Sequence, residues 1–387
     1  MQRSFHAALC VVGIVSPASA QSRLARPTID TVNHHIVRVM NSGPTAWTDT
    51  NGWKLVLERT VQPPEGSPGM LERPSGLILL GDGRVIVSQR NPASVRVYDR
   101  QGRLANSIGR EGEGPGEFRA PKLAMFHDTV VVHDGRLGRA VLIRIDGTFI
   151  RQFVTNVHND GAPVVVDDRG RLRLPTVRAS TTDMLSQWVY FDLNGKRLDS
   201  VLVPEAVKVK TWSARENGGT VSYIVPFAAQ NNYATLRNGS ILFGGGDRYQ
   251  FLLTNSGRDT VRIFGRLGVP ADPVPAAIRD SVFQLYSTNP QLRAMGISES
   301  DLPRTYPLWG GVALDGTGHA WVEVGQPASK GYHFDVFNPT GVYLGAVAAP
   351  FEGLWRASWA GDHVAVLDTD ENDLPRIRIF RIDRRGH

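Results

Sequence analysis

Chemistry in this chain has three places to start: a glycine-rich run, an acidic run, and a scatter of arginines and tryptophans. The first is Gly109 to Pro121, G-R-E-G-E-G-P-G-E-F-R-A-P. Its backbone amides could cradle a phosphate, but the run lacks the Gly-Lys-Ser/Thr ending and leads into no helical pattern. Its glycines suit positive-φ positions in a tight crossing, with Phe118 as the anchor. The second run, Asp368-Thr-Asp-Glu-Asn-Asp373, begins like a calcium loop. Asp373 stands where an EF-hand has Gly, and Ile379 where it has its bidentate Glu, so that reading fails. A looser calcium site there is the one cofactor these residues suggest. There is no G-x-S-x-G and no H-E-x-x-H. The pair His34-His35 would point to opposite sides of an extended chain and reads as solvated.

Placing the scattered arginines requires the elements that carry them. Pro68-Gly69 with Pro74 matches Pro115-Gly116 with Pro121, 47 residues on. A loop that recurs with its flanks implies a repeat. From Trp53 onward the chain is a series of short β-rich runs separated by Gly, Asp and Asn turns. Leu77–Leu80, Val85–Ser88, Val95–Tyr98 and Leu104–Ile108 make one four-stranded antiparallel unit, a propeller blade. The order recurs from Val130, Pro163, Tyr233, Gly311 and Arg356. The sixth unit has three strands of its own. Trp53 to Val61, left without a partner, completes it beside Ile377–Ile382, which removes the open edges of a stack of sheets. The expected fold is all-β: a six-bladed β-propeller of four-stranded antiparallel blades, closed by an N-terminal strand, over residues 52–383. Two insertions break the period. Residues 205–225 alternate around an Asn-Gly turn, as a hairpin does. Residues 269–307 carry helical spacing and helix-start signals at Asn289-Pro290 and at Ser298 with Asp301, which predict a short helical insertion between blades 4 and 5.

The turns sort by face. Links between first and second and between third and fourth strands read as tight turns. Links between second and third strands, and between blades, read as longer and more varied, and they share the opposite face. Function tends to sit on varied loops over a rigid scaffold. The residues expected there, at the mouth of the central channel, are Arg90, Lys122, Arg136, Arg178, Arg248, Trp309, Trp355 and Arg356, among acidic neighbours such as Glu323 and Asp368. A mixed-sign ring with tryptophans could hold a ligand. The plainer reading is ordinary surface loops, with the tryptophans packing blade against blade. The inner strands offer almost no metal ligands; His127, Asn232 and Glu72 lie nearby without forming a recognisable set.

The amino terminus reads as a cleavable signal: Arg3, the apolar stretch Ala7–Val15, then Ala18-Ser19-Ala20, with cleavage near Ala20/Gln21. The apolar run is too short to span a bilayer. The only cysteine, Cys10, lies inside it, so the mature chain would be stabilised by packing alone. Residues 21–51 read as a flexible lead-in. The formal charge of +6 drops by one with Arg3, and the basic residues are spread out, which suits a solvated surface better than a polyanion site.

The loop G-R-E-G-E-G-P-G-E-F-R-A-P resembles the crossing of NHL-type repeats. Leu314-Asp315-Gly-Thr-Gly318-His-Ala-Trp321-Val322 is similar to a unit of exported bacterial six-bladed β-propellers. That resemblance spans roughly residues 53–383 and implies an extracytoplasmic, periplasmic or secreted propeller; it supplies no catalytic residues, and fold does not license function. The leading expectation is a monomer that binds a small molecule or an extracytoplasmic protein without chemistry of its own. The alternative is a channel-centred metal-dependent hydrolase, lactonase or lyase, with the helices as a lid. Binding to nucleic acid fits poorly with export.

Overall fold

The computed structural model describes residues 27–33, 35–45, 47, 51–159, 163–179, 184–216, 219–326 and 331–384. Strands β1 (Thr28–Val32) and β2 (Ile36–Asn41) form a hairpin, and β3 (Lys54–Val61) follows. Blade 1 is β4 (Pro74–Leu79), β5 (Val85–Arg90), β6 (Ala93–Tyr98) and β7 (Leu104–Ile108). The crossing to blade 2 holds two-residue strands β8 (Arg110–Glu111) and β9 (Glu117–Phe118). Blade 2 is β10 (Pro121–Phe126), β11 (Thr129–Asp134), β12 (Arg139–Arg144) and β13 (Phe149–Val154); blade 3 is β14 (Val165–Val166), β15 (Leu172–Ala179), β16 (Met184–Phe191) and β17 (Arg197–Leu202). An inserted hairpin, β18 (Thr211–Glu216) and β19 (Gly219–Ile224), precedes blade 4, which is β20 (Asn231–Thr235), β21 (Ile241–Gly245), β22 (Gln250–Thr254) and β23 (Thr260–Arg266). Helices α1 (Ala276–Ser287) and α2 (Pro290–Ala294) come next. Blade 5 is β24 (Gly311–Leu314), β25 (Ala320–Gln326), β26 (Gly331–Phe337) and β27 (Tyr343–Ala348). Blade 6 is β28 (Ala357–Ala360), β29 (His363–Thr369), β30 (Pro375–Asp383) and, antiparallel to β30, the N-terminal β3. The protein is therefore a six-bladed propeller of four-stranded antiparallel sheets, closed by a strand from its start.

The sequence builds each blade in the same way. Second and third strands are buried on both faces and read as continuous apolar runs: every residue of β6 is buried, as is Val130 to Val132 in β11. Several tight turns are closed by an Asp or Asn whose side chain takes backbone N–H groups ahead of it. Asp99 accepts from Gln101 and Arg103 at 2.9 Å, and Asn338 accepts from Thr340 and Val342. The core lies in the seams between blades. Blades 5 and 6 share Trp321, Phe334, Phe351 and Phe380; blades 4 and 5 share Phe251, Phe264, Trp309 and Phe337. That second seam also buries Asp335, ion-paired to Arg266 at 2.6 Å and accepting from Tyr343 at 3.0 Å. Burial leaves the lone carboxylate little choice but such donors.

Two expectations are corrected. The stretch read as a flexible lead-in carries β1 and β2, and β2 pairs in parallel with β23, so blade 4 belongs to a six-stranded sheet. The alternation around Val37 and Val39 is the cause. Val39 is 2% exposed in the seam of blades 4 and 5, a burial worth about 2 kcal/mol. Asn41 then fastens the end of the hairpin, donating to Gly265 and Gly341 carbonyls at 2.9 and 3.0 Å and accepting from the Tyr343 amide. Of the pair at 34–35, His34 lies outside the described residues and His35 is exposed.

The second correction concerns the links between second and third strands. They are short: 91–92, 135–138, 246–249 and 370–374 are no longer than tight turns such as 80–84 and 167–171. Residues read as loop, including Arg178, Glu323 and Asp368, are strand residues. Among the described residues, only the crossings between blades are long, and they decorate that face. In the crossing to blade 2, Phe118 is 1% exposed in the seam of blades 1 and 2. Gly109 has φ 71°, and a Cβ on it would sit 2.4 Å from the Phe118 ring. Only glycine fits there. Glu117 folds back to Arg110 and to the Gly114 amide, both at 2.8 Å, so its carboxylate occupies the loop interior.

Candidate functional site

The inner strands of the blades all begin on the decorated face, and the repeat puts equivalent positions into a ring around the channel. Arg73 immediately precedes β4, Lys122 is the second residue of β10, and Arg356 immediately precedes β28. Arg90, the last residue of β5, joins them because its amide bonds to the Arg73 carbonyl at 3.0 Å. The four basic residues line one cleft of ≈ 690 Å³ across the mouths of blades 6, 1, 2 and 3. Its apolar part comes from Leu77, Leu123 and Ala357 of the same inner strands, with Val164 just before β14 and Leu367 of β29.

The second-strand ends supply one carboxylate, Asp368. It is already gripped by Arg376 Nε at 2.9 Å and Arg378 Nε at 2.6 Å. The neighbouring Asp370 accepts the amides of Asn372 and Leu374 at 2.9 Å and Gln62 Nε2 at 2.6 Å. Those amide donors hold the Asp370 carboxyl below its usual range. Two guanidinium groups beside Asp368 repel a divalent cation, so this acidic run does not fit calcium. Among the described residues, no three His, Cys, Asp or Glu side chains converge as metal ligands. His127 sits in the link 127–128 on the opposite face, and Glu72 lies 3.8 Å from Arg96.

Lys122 Nζ donates to the Ser75 carbonyl at 3.0 Å, while Ser75 Oγ reaches the Pro121 carbonyl at 3.1 Å and Ser88 Oγ at 3.0 Å. These bonds stitch blade 1 to blade 2 at the floor of the cleft. Gly76 is part of the same fit, since a Cβ there would meet Ser88 Oγ at 2.8 Å. The rim is different. Trp355 is 80% exposed, with the Arg356 guanidinium 4.5 Å from its ring centroid. The short 3-10 turn that carries them is held from below by Leu354, which is 2% exposed. Glu323 of blade 5 accepts the amides of Gly353 and Leu354 at 3.1 and 3.0 Å.

Of the eight residues read from sequence as the channel mouth, the structure brings together Arg90, Lys122, Trp355 and Arg356. Of the other four, Arg136, Arg248 and Trp309 stand elsewhere. Arg136 lies in the link 135–138, outside the cleft lining. Arg178 belongs to β15, and its side chain lies outside the described residues. The Arg248 side chain is 78% exposed beside Asp247. Trp309 is buried in the seam of blades 4 and 5 and donates to the Arg248 carbonyl at 2.9 Å. The sequence reading missed Arg73. Aligning Pro74 with Pro121 would have found it, because it flanks the same corner as Lys122. It also missed the apolar floor, whose residues look like ordinary strand positions.

The two insertions pack on each other as a separate cap. Trp212 of β18 donates to Asp301 at 3.0 Å and Tyr223 of β19 to Gln291 at 2.6 Å, around Leu292 and Leu302. None of these residues lines the cleft.

No protein-family model matches the chain, and no curated protein matches it by sequence. Solved structures do. A Bacteroides fragilis protein described as exported is similar over 89% of this chain and 99% of its own, at 10% identity and a TM-score of 0.51. A Bacteroides vulgatus protein of the DUF4221 family is similar over 86% and 99%, at 11% identity and a TM-score of 0.45. Virginiamycin B lyase of Staphylococcus aureus is similar over 84% and 88%, at 10% identity and a TM-score of 0.36. At these identities the likeness concerns the fold alone. No helix among the described residues is long and apolar enough to cross a membrane.

Proposed function

We propose that this protein is an extracytoplasmic binding propeller whose central cleft takes an anionic ligand, without chemistry of its own. One observation carries the reading: four basic side chains line a single cleft whose sole carboxylate among the described residues is already neutralised by two arginines. A concave wall of one sign concentrates field and draws oppositely charged solutes. The signal-like segment of residues 1–20, with cleavage near Ala20/Gln21, supports export to the periplasm or medium. The NHL-like crossing loop serves the scaffold rather than the ligand.

The test uses the full mature chain. Thermal unfolding is followed against carboxylates, phosphates and sulfonates at low and high salt, alongside Arg90→Gln and Arg356→Gln. Binding predicts a rise in Tm that salt weakens and that the variants lose. The ligand is then recovered after long incubation and weighed by mass spectrometry. An unchanged mass supports binding, whereas a hydrolysed or eliminated product would replace this reading with catalysis.

A further inference from the structure

We infer that the ligand of the cleft is an amphipathic anion: one carboxylate, phosphate or sulfonate head on an apolar body. This rests on the anion-binding reading above and narrows it. The cleft has two unlike halves. Its cations stand at strand starts and ends, while Leu77, Leu123, Val164 and Leu367 add apolar lining from the same cleft. A free inorganic anion fills a small part of ≈ 690 Å³ and leaves that surface wet. An apolar body covering it gains about 25 cal/mol for each Å² removed from water.

Trp355 is the second observation. A tryptophan left 80% exposed buries little of its ring in the fold, yet its turn is anchored. Glu323 holds two of the turn's amides, Leu354 is buried beneath, and Gly353 takes φ 80°. A Cβ at Gly353 would lie 3.0 Å from the indole nitrogen, so the close approach of ring and backbone depends on glycine. The result is a pre-set flat apolar wall with a guanidinium 4.5 Å from its ring centroid. Such a pair receives the body and the head of one ligand side by side. A fixed aromatic surface also spares the ordering entropy of binding.

Isothermal titration of the full mature chain tests this with four probes: 2-naphthoate, decanoate, inorganic phosphate and neutral 2-naphthalenemethanol. At least one of the two carboxylates should bind about tenfold more tightly than phosphate and than the alcohol, and the tighter of the two tells an aryl from an acyl body. Trp355→Ala and Arg356→Gln should each weaken it about tenfold, with circular dichroism unchanged. Glu323→Gln should weaken it less, because the amide keeps one acceptor. Phosphate binding as tightly as both carboxylates would overturn the amphipathic class and leave the anion-binding reading standing. Equal binding of the neutral alcohol, or no binding of any probe by well-folded protein, would overturn both.

Discussion

His133 should make this protein lose stability on mild acidification, through a route that can be isolated. The ring is 1% exposed on β11 in the seam of blades 2 and 3. Its Nε2 meets Thr155 Oγ1 at 3.2 Å, and its Nδ1 makes no well-formed hydrogen bond. Burial pushes its pKa down from 6.5 to about 4; the Asp134 carboxylate opposes that and His158 assists it. The folded protein thus resists a proton that the unfolded chain accepts. Stability from this group is complete above pH 6.5 and is lost as the pH falls through 6.5 toward 4. The whole effect approaches about 3 kcal/mol, and the part between pH 7 and pH 5 is about 2 kcal/mol. Carboxylates also titrate as pH falls, so the assay is a double difference: urea midpoints of the wild type and of His133→Gln at both pH values. Glutamine keeps a polar partner for Thr155 and does not titrate. The wild type should lose about 2 kcal/mol more than the variant. Equal losses in the two proteins would refute the assignment, and a greater loss in the variant would reverse its sign.

Three further outcomes follow from the geometry. Asn41→Ala removes three hydrogen bonds, two of them buried, between the N-terminal hairpin and blades 4 and 5; it should lower unfolding stability by about 2–4 kcal/mol in urea titrations and leave cleft binding untouched. Gly109→Ala forces a Cβ to 2.4 Å from the Phe118 ring and 2.7 Å from the Gly116 carbonyl at φ 71°; calorimetry should show Tm lowered by several degrees, and an unchanged Tm would mean that the crossing relaxes freely. Arg248→Ala, at a side chain 78% exposed, should change stability by less than about 0.5 kcal/mol; a large loss would show that this arginine is structural.

The propeller was readable because blade seams need continuous apolar strands and tight turns need Gly, Asp and Asn, and those demands repeat along the chain. The closing strand was readable by counting, since Trp53–Val61 was left without a partner. The hairpin of β1 and β2 was not, because its partner β23 lies more than 200 residues away and no turn marks a parallel pairing. The candidate site divides in the same way. Arg90, Lys122, Trp355 and Arg356 follow from their positions in the repeat. Trp309 looked equivalent to Trp355, one residue type at one corner of successive blades, but its ring turns into the seam and Trp355 turns out. Side-chain direction at a strand start depends on the crossing before it, and these two crossings differ: one follows the helical insertion, the other is short and pinned by Glu323. The neutralisation of Asp368 was hidden too, since Arg376 and Arg378 approach it across the β29–β30 pairing.

The position of β3 sets an order on assembly. Its partner β30 lies more than 300 residues further along the chain, so the first strand of the ring finds its place only when those distant segments meet. The hairpin before it waits similarly for β23. Both pairings join segments more than 200 residues apart, and such long-range pairings form slowly. Until those segments meet, blade 6 lacks its fourth strand and the ring stays open.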